Sequence, residues 1–223
     1  MHRLIEKAKS ENRHLLEPEV MSLLDSYGIQ IPPHKVVHNE KEALEAAKSL
    51  GWPVVMKIVS PDIIHKTEVE GVILNVQNEK QVSDAFSRLS SLEGTDKRIE
   101  GIIIYPFQEA EVEISVGMVR DSQFGPVITF GLGGIWIEVF RDIAYAIAPL
   151  STEEAQNMLD SIQAHEILKD FRKRKSVDRK SLSELLVRIS QMAMKEVAIQ
   201  EMDLNPIFPM EKGYFIADGR IIL

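Results

Sequence analysis

The chain has 223 residues, with 26 basic against 34 acidic side chains, 44% hydrophobic and 6% aromatic residues, and no cysteine, a length that buries a real core in one large domain or two smaller lobes. This composition excludes a disordered chain and a disulfide-stapled peptide, and the absence of thiols excludes cysteine nucleophiles, iron–sulfur clusters and cysteine zinc sites, in keeping with a reducing compartment. The net charge of −8 speaks against a protein whose main task is to bind nucleic acid, because affinity there comes from a basic surface that neutralises phosphates.

The N-terminal stretch MHRLIEKAKSENRH is charged throughout and lacks the apolar run of a signal peptide. No window approaches the roughly 18 apolar residues of a spanning helix, so the expectation is a soluble, cytoplasmic chain with no membrane partner. Val20, Leu23, Leu24 and Tyr27 then follow helical spacing over residues 18–27, and Gly28 stops the helix. After the extended segment IPPHKVV, Asn39 with Glu42 caps a second helix through Ala43, Ala47 and Leu50. VVMKIVS and GVILNV are short strands flanking the polar loop SPDIIHKTEVE. A third helix runs from Asn78 to about Leu92, and IEGIIIYPF is a strand. In EVEISVGM, Val112, Ile114 and Val116 alternate with Glu111, Glu113 and Ser115, giving one apolar and one polar face. PVITFGLGGIWIEVF reads as a glycine-interrupted hairpin and IAYAIAP as a strand. Ser151 with Glu154, and Ser181 with Glu184, open two further amphipathic helices, and IQEMDLNPI and GYFIADGRIIL end the chain as strands. Helices and strands interleave without a regular βαβ beat, which predicts an α+β fold.

Five places carry candidate chemistry. Lys57 interrupts an apolar strand, where an ammonium needs an anionic partner or must snorkel from an edge. Glu201, Asp203 and Asn205 share a strand face, with Asp218 on the next strand; such an oxygen cluster suits Mg²⁺ or is a solvated acidic face. Gly131, Gly133 and Gly134 form a turn whose amides can approach phosphate, or a plain tight hairpin. His65 lies in the exposed loop as a possible phosphoryl acceptor or an ordinary surface histidine. KDFRKRKSVDRK packs seven basic residues into twelve, a solvated loop or an anion contact.

Taken in order, LLEPEVMSLLDSYGIQIP, GWPVVMKIVSPDIIHKTEVEGV, GIIIYPF, EISVGMVRDSQFGPVITFGLGGIWIEVFRDIAYAIAPL, EMDLNPIF and IADGRIIL resemble the ATP-grasp subunit of the ADP-forming acyl-CoA synthetases, the family of acetate–CoA ligase (ADP-forming) beta chains. The resemblance runs nearly end to end. It implies an ATP-grasp fold over residues 1–223, with an N-terminal lobe at about 15–100 and a C-terminal lobe at about 101–223 gripping ATP between them. It also implies roles. Lys57 contacts the nucleotide phosphates, the backbone of Ile103, Ile104 and Tyr105 forms the hinge that meets adenine, and Glu113 holds the ribose hydroxyls. Asn205 and Asp218, with Asp203 as a third, bind Mg²⁺. His65 relays the phosphoryl group to a histidine of the partner, and Gly133 and Gly134 form the turn near that transfer. The chain departs from the family at Glu70, where a glycine is usual, and in the basic run at Arg172, Lys173 and Ser176.

The resemblance implies ATP/ADP and Mg²⁺ as cofactors and a separate alpha subunit carrying CoA-binding and ligase domains, in an α2β2 heterotetramer. The expected reaction is ATP + carboxylic acid + CoA to ADP + phosphate + acyl-CoA. Two other readings stay open: a nucleotide-sensing domain that retains the fold without turnover, and an ATP-grasp carboxylate–amine ligase, against which a relay histidine speaks.

Overall fold

The computed structural model describes residues 1–63, 66–92, 97–134, 142–169 and 177–223. In chain order its elements are helices α1 (Arg3–Ser10) and α2 (Glu17–Ser26), strand β1 (Lys35–Val37), α3 (Glu40–Leu50), β2 (Val54–Val59), β3 (Val72–Val76), α4 (Glu79–Ser91), β4 (Gly101–Pro106), β5 (Ile114–Asp121), β6 (Gly125–Leu132), β7 (Ile143–Ile147), α5 (Thr152–Ser161), α6 (Arg179–Lys195), β8 (Glu201–Pro209), β9 (Tyr214–Ile216) and β10 (Arg220–Ile222), with 3₁₀ turns at Lys66–Val69 and Gln163–Leu168.

The chain divides into two compact units, one of residues 32–109 and one of residues 1–31 with 110–223. The 32–109 unit is an antiparallel sheet in the order β1-β4-β2-β3. Alternation along β2 sends Val54, Met56 and Ile58 into a core with Ala43 and Ala47 of α3 and Val82, Ala85 and Leu89 of α4. Val55, Lys57 and Val59 therefore point from the opposite face. Both helices start as the sequence predicts: Asn39 Oδ1 accepts from the Glu42 N–H at 3.0 Å, and Asn78 Oδ1 from the Gln81 N–H at 3.0 Å.

The other unit is an antiparallel sheet ordered β10-β8-β5-β6-β7, with β9 also paired to β8. Ile114, Val116 and Met118 of β5, Phe130 of β6 and Met202 and Leu204 of β8 pack against helices α2, α5 and α6 through residues such as Leu24, Leu159 and Leu186. Burial of this one face leaves Ser115, Gly117, Thr129, Asp203 and Asn205 on the other.

The division differs from the expected 15–100 and 101–223. Strand β4 lies in the first unit because it pairs with β1 and β2 on either side, and α2 lies in the second because Val20, Met21, Leu23 and Leu24 pack into the larger core. Neither pairing is visible in a local window. Helix α1 is also additional to the sequence reading; its apolar stripe is only Ile5 and Ala8. Its start is pinned by the buried Glu196 carboxylate, which accepts from the His2 N–H at 2.9 Å and the Tyr27 hydroxyl at 2.6 Å.

Helix α6 begins at Arg179 rather than at a Ser181 cap. Asp178 is the cap: its carboxylate accepts from the Ser181 N–H at 3.0 Å, the Ser181 hydroxyl at 2.7 Å and the Gly213 N–H at 2.9 Å. These bonds, the Ser181 hydroxyl foremost, pull the Asp178 carboxyl from 3.8 to about 2. A carboxyl lowered on folding stabilises the native state above its unfolded value, and that contribution is lost as pH falls toward the native one. Asp178→Ala is therefore expected to lower stability by about 1–2 kcal/mol at pH 7, and the gap in urea midpoint between variant and wild type should narrow between pH 4 and pH 2.

Candidate functional site

In the 32–109 unit, Lys57 is 6% exposed at the centre of β2. Its Nζ sits 5.2 Å from the ring centroid of Tyr105, and the Tyr105 and His34 ring centroids are 5.6 Å apart. A buried ammonium over an aromatic face is attracted by the ring quadrupole. Tyr105 presents its side chain on the same face because Val55 is its Cα partner while Ile103 is the partner of Lys57.

The expected hinge at Ile103 and Ile104 needs correction. Ile103 is paired with Val36 on one side and Lys57 on the other, and Ile104 with Lys35 and Met56. A central antiparallel strand commits its backbone N–H and C=O groups to both neighbours, so these two residues present no backbone edge to a base.

His65 lies outside the described residues, but both ends of its loop are described. The Asp62 carboxylate accepts from the Arg98 backbone N–H at 2.8 Å, and the Gly71 N–H donates to Lys66 O at 2.7 Å. Glu70 adopts φ +55 and forms an ion pair with Arg88 of α4. Because α4 packs against the Met56 and Ile58 face of the sheet, this pair directs the Glu70 charge to the helix side, away from the face that carries Lys57. The Glu70 side chain is thus held by a partner eighteen positions away. Glu70→Gly relieves a left-handed backbone worth about 1 kcal/mol and removes an exposed ion pair worth up to about 1 kcal/mol. Its expected result is a stability within about 1 kcal/mol of wild type and an ATP affinity within about twofold in calorimetric titration, since the charge does not face Lys57.

In the other unit, several predicted residues converge. Gly133 and Gly134 follow β6, and the Gly133 N–H donates to Glu113 O at 2.8 Å while the Gly134 N–H donates to Asn205 Oδ1 at 3.0 Å. Gly134 has φ +60, and a Cβ there would lie 2.0 Å from Glu113 Oε2. The turn is therefore built against Glu113 and Asn205, and its two amides are already engaged, which corrects the expectation of bare amides facing a phosphate.

Asn205 owes its position to a β-bulge. Ile114 pairs with Ile207 but Val116 with Leu204, so Asn205 and Pro206 together oppose Ser115. The Ala217 N–H donates to Pro206 O at 2.9 Å, which brings the following Asp218 to this bulge. Asp203 faces Arg220 across β10 and Gly117 across β5. Burial pushes the Asp203 carboxyl above its ordinary value; Arg220 opposes this, and Glu201 and Asp218 add to it. Glu201, expected on the same face, is ion-paired with Arg220 at 2.8 Å.

This donor set fits Mg²⁺, a hard cation held by one or two carboxylates together with substrate phosphates and water. Asp203 and Asp218 crowd negative charge that a cation would relieve, and Asn205 adds an amide oxygen. Among the described residues no group of three or more His, Asp or Glu is arranged to hold a metal, so the remaining positions would fall to ligand oxygens.

Three contributors escape sequence reasoning. Gly117 keeps the floor open beside Asp203, since a Cβ there would lie 2.5 Å from Thr129 Oγ1. Asp142 accepts from the Gln163 and Ala164 N–H groups at 2.7 and 2.8 Å, anchoring the 3₁₀ turn that follows α5. Arg88 directs Glu70. Each acts across elements, and no local pattern marks them.

Two antiparallel sheets with helices packed on one face of each, a buried lysine in the smaller and an oxygen cluster beside a double-glycine turn in the larger define an ATP-grasp domain. Residues 6–223 match the ATP-grasp domain family, and the chain belongs to it. It is 42% identical over 223 residues to the acetate–CoA ligase [ADP-forming] I subunit beta of Pyrococcus furiosus, covering 99% of this chain and 96% of that one. Against the acetate–CoA ligase [ADP-forming] I of Archaeoglobus fulgidus it is 39% identical, covering 99% of this chain but 32% of that protein. The structure of acetyl-coenzyme A synthetase 1 from Ca. Korarchaeum cryptofilum, in complex with coenzyme A and Ca-AMPCP, superposes with a TM-score of 0.95 at 37% identity, covering 99% and 98% of the two chains. Another structure of that enzyme, with Mg-AMPPCP and its phosphohistidine segment pointing towards the nucleotide binding site, superposes at 0.88 and 36% identity, with 99% and 98% covered. Within the ATP-grasp domains, the chain is therefore a member of the beta-subunit family of ADP-forming acetyl-CoA synthetases. No helix among the described residues is long and apolar enough to cross a membrane.

Proposed function

We propose that the chain is the nucleotide-handling subunit of an ADP-forming acyl-CoA synthetase, catalysing ATP + carboxylic acid + CoA to ADP + phosphate + acyl-CoA together with a separate alpha subunit that carries the CoA-binding and ligase domains, in an α2β2 assembly. The observation that carries the reading is the coverage: the chain matches nearly all of a relative that is itself a beta subunit, and about a third of a relative in which the ligase is one chain.

Lys57 binds the nucleotide phosphates, which accounts for an ammonium in an otherwise apolar strand. Glu113 holds the ribose hydroxyls, and Asn205, Asp218 and Asp203 hold Mg²⁺. When bound, the cation supplies charge neutralisation for the transferring phosphoryl group. His65 accepts that group through a ring nitrogen as its bond to the leaving ADP oxygen breaks, and passes it to the histidine of the partner. The relay moves the phosphoryl group in three transfers, from ATP to His65, from His65 to the histidine of the partner and from there to the carboxylic acid, and the CoA thiol then displaces phosphate from the acyl phosphate on the partner. Main-chain and side-chain positioning suffices for this chemistry, and no separate acid is needed.

The test is to incubate the purified chain with γ-labelled ATP and Mg²⁺, with and without a candidate alpha subunit. The expected result is acid-labile, base-stable label that disappears in His65→Ala while nucleotide affinity stays within about threefold, a change below about 0.7 kcal/mol. Nucleotide binding without label, even with the partner present, would overturn the relay and leave a nucleotide-sensing domain.

A further inference from the structure

Arg220 stands on β10 directly across from Asp203, its Cα partner on β8. Side chains that oppose each other in an antiparallel pair share a face and lie within reach, and opposite charges so placed attract. The guanidinium nevertheless goes elsewhere. Arg220 Nη2 donates to Glu201 Oε1 at 2.8 Å, diagonally along the same face, while Asp203 accepts no hydrogen bond and forms no ion pair among the described residues.

This choice of partner matters for the oxygen cluster. Along β8, Glu201 and Asn205 flank Asp203 on opposite sides, so a guanidinium held at Glu201 is drawn away from Asn205. An arginine is always charged and carries donors only; bonded to Asp203, it would engage the carboxylate oxygens and set a fixed positive charge where a cation is to sit. Bonded to Glu201, it leaves those oxygens open. The Glu201 and Arg220 side chains are 39% and 33% exposed, and an ion pair so exposed contributes little to stability. Its consequence lies in where the guanidinium is held.

We propose that Glu201 is a positioning residue for the cation site: by binding Arg220 it keeps the guanidinium off Asp203 and leaves that carboxylate open to Mg²⁺. The proposal rests on the assignment of Asp203 as a cation ligand. Without the Glu201 carboxylate, Arg220 turns to the aspartate across from it, and a cation then has to displace it. Glu201 therefore acts on the site only through Arg220.

The test is a double-mutant cycle in the full-length chain, with Glu201→Gln and Arg220→Met made singly and together and Asp203→Asn beside them. Calorimetric titration of ADP at increasing Mg²⁺ gives, for each protein, the Mg²⁺ concentration at which the gain in ADP affinity is half complete, and urea midpoints check that each is folded. Glu201→Gln is expected to raise that concentration about fivefold when Arg220 is present and less than about twofold in the Arg220→Met background, where the carboxylate has nothing left to act through. A crystal structure of Glu201→Gln without cation is expected to show Arg220 bonded to Asp203. An equal rise in both backgrounds means that Glu201 acts by its own charge at a distance, which overturns the positioning role while the cation assignment stands. If ADP affinity is indifferent to Mg²⁺, or its Mg²⁺ dependence is unchanged in Asp203→Asn, Asp203 is no cation ligand and the proposal falls with that assignment.

Discussion

Gly133→Ala is expected to destabilise the protein by about 3 kcal/mol or more, whereas Gly134→Ala next to it is expected to leave the fold nearly intact and to lose nucleotide affinity at least tenfold. The difference lies in what each new methyl meets. At Gly133 a Cβ would stand 2.6 Å from Ile114 O and 2.7 Å from Ile114 C, backbone atoms of a strand paired on both sides with β6 and β8, and such a neighbour cannot give way. At Gly134 the Cβ would meet Glu113 Oε2 at 2.0 Å, the far end of a flexible side chain, which swings aside; the αL backbone adds about 1 kcal/mol. The cost then falls on the position of the Glu113 carboxylate. Urea denaturation and nucleotide titration of the two variants separate the effects. Unchanged affinity in Gly134→Ala would remove Glu113 from the nucleotide site, and a normal urea midpoint in Gly133→Ala would contradict the packing of the turn.

Lys57→Met is expected to weaken ATP binding at least tenfold, with ADP weakened less and adenosine not at all, because the ammonium acts on phosphates rather than on the nucleoside. Some stability goes with it, since the attraction to the Tyr105 ring, worth about 0.5–2 kcal/mol, is lost, while the desolvation of a charge that is 6% exposed is relieved. Titration of the three ligands with wild type and variant checks this. An equal loss for adenosine would mean that Lys57 acts through packing, and no loss for ATP would take it out of the site.

Helix starts at Asn39, Asn78 and Ser151 and the strands through Lys57, Ile114 and Asp203 were legible in the sequence because capping and alternation are local: each needs only residues three or four apart, or two apart, to be recognised. Where a local rule competed with a better partner, it failed. The Ser181 and Glu184 pattern suggested a cap, but Asp178 provides one that also binds Gly213 from another part of the chain. The hinge assigned to Ile103 and Ile104 failed for a similar reason, since their backbone is consumed by strands that lie far away in sequence.

By itself the sequence determined the alternation of elements, the apolar face of the strand through Ile114 and the family, because patterns of burial and motif order are written along the chain. Only the tertiary structure decided which unit β4 and α2 join, that Glu70 is drawn to Arg88 and away from the face of Lys57, and that the Asn205 side chain accepts from the Gly134 N–H. Those outcomes depend on pairings across tens of residues, where sheet register and packing, rather than local propensity, choose the partner.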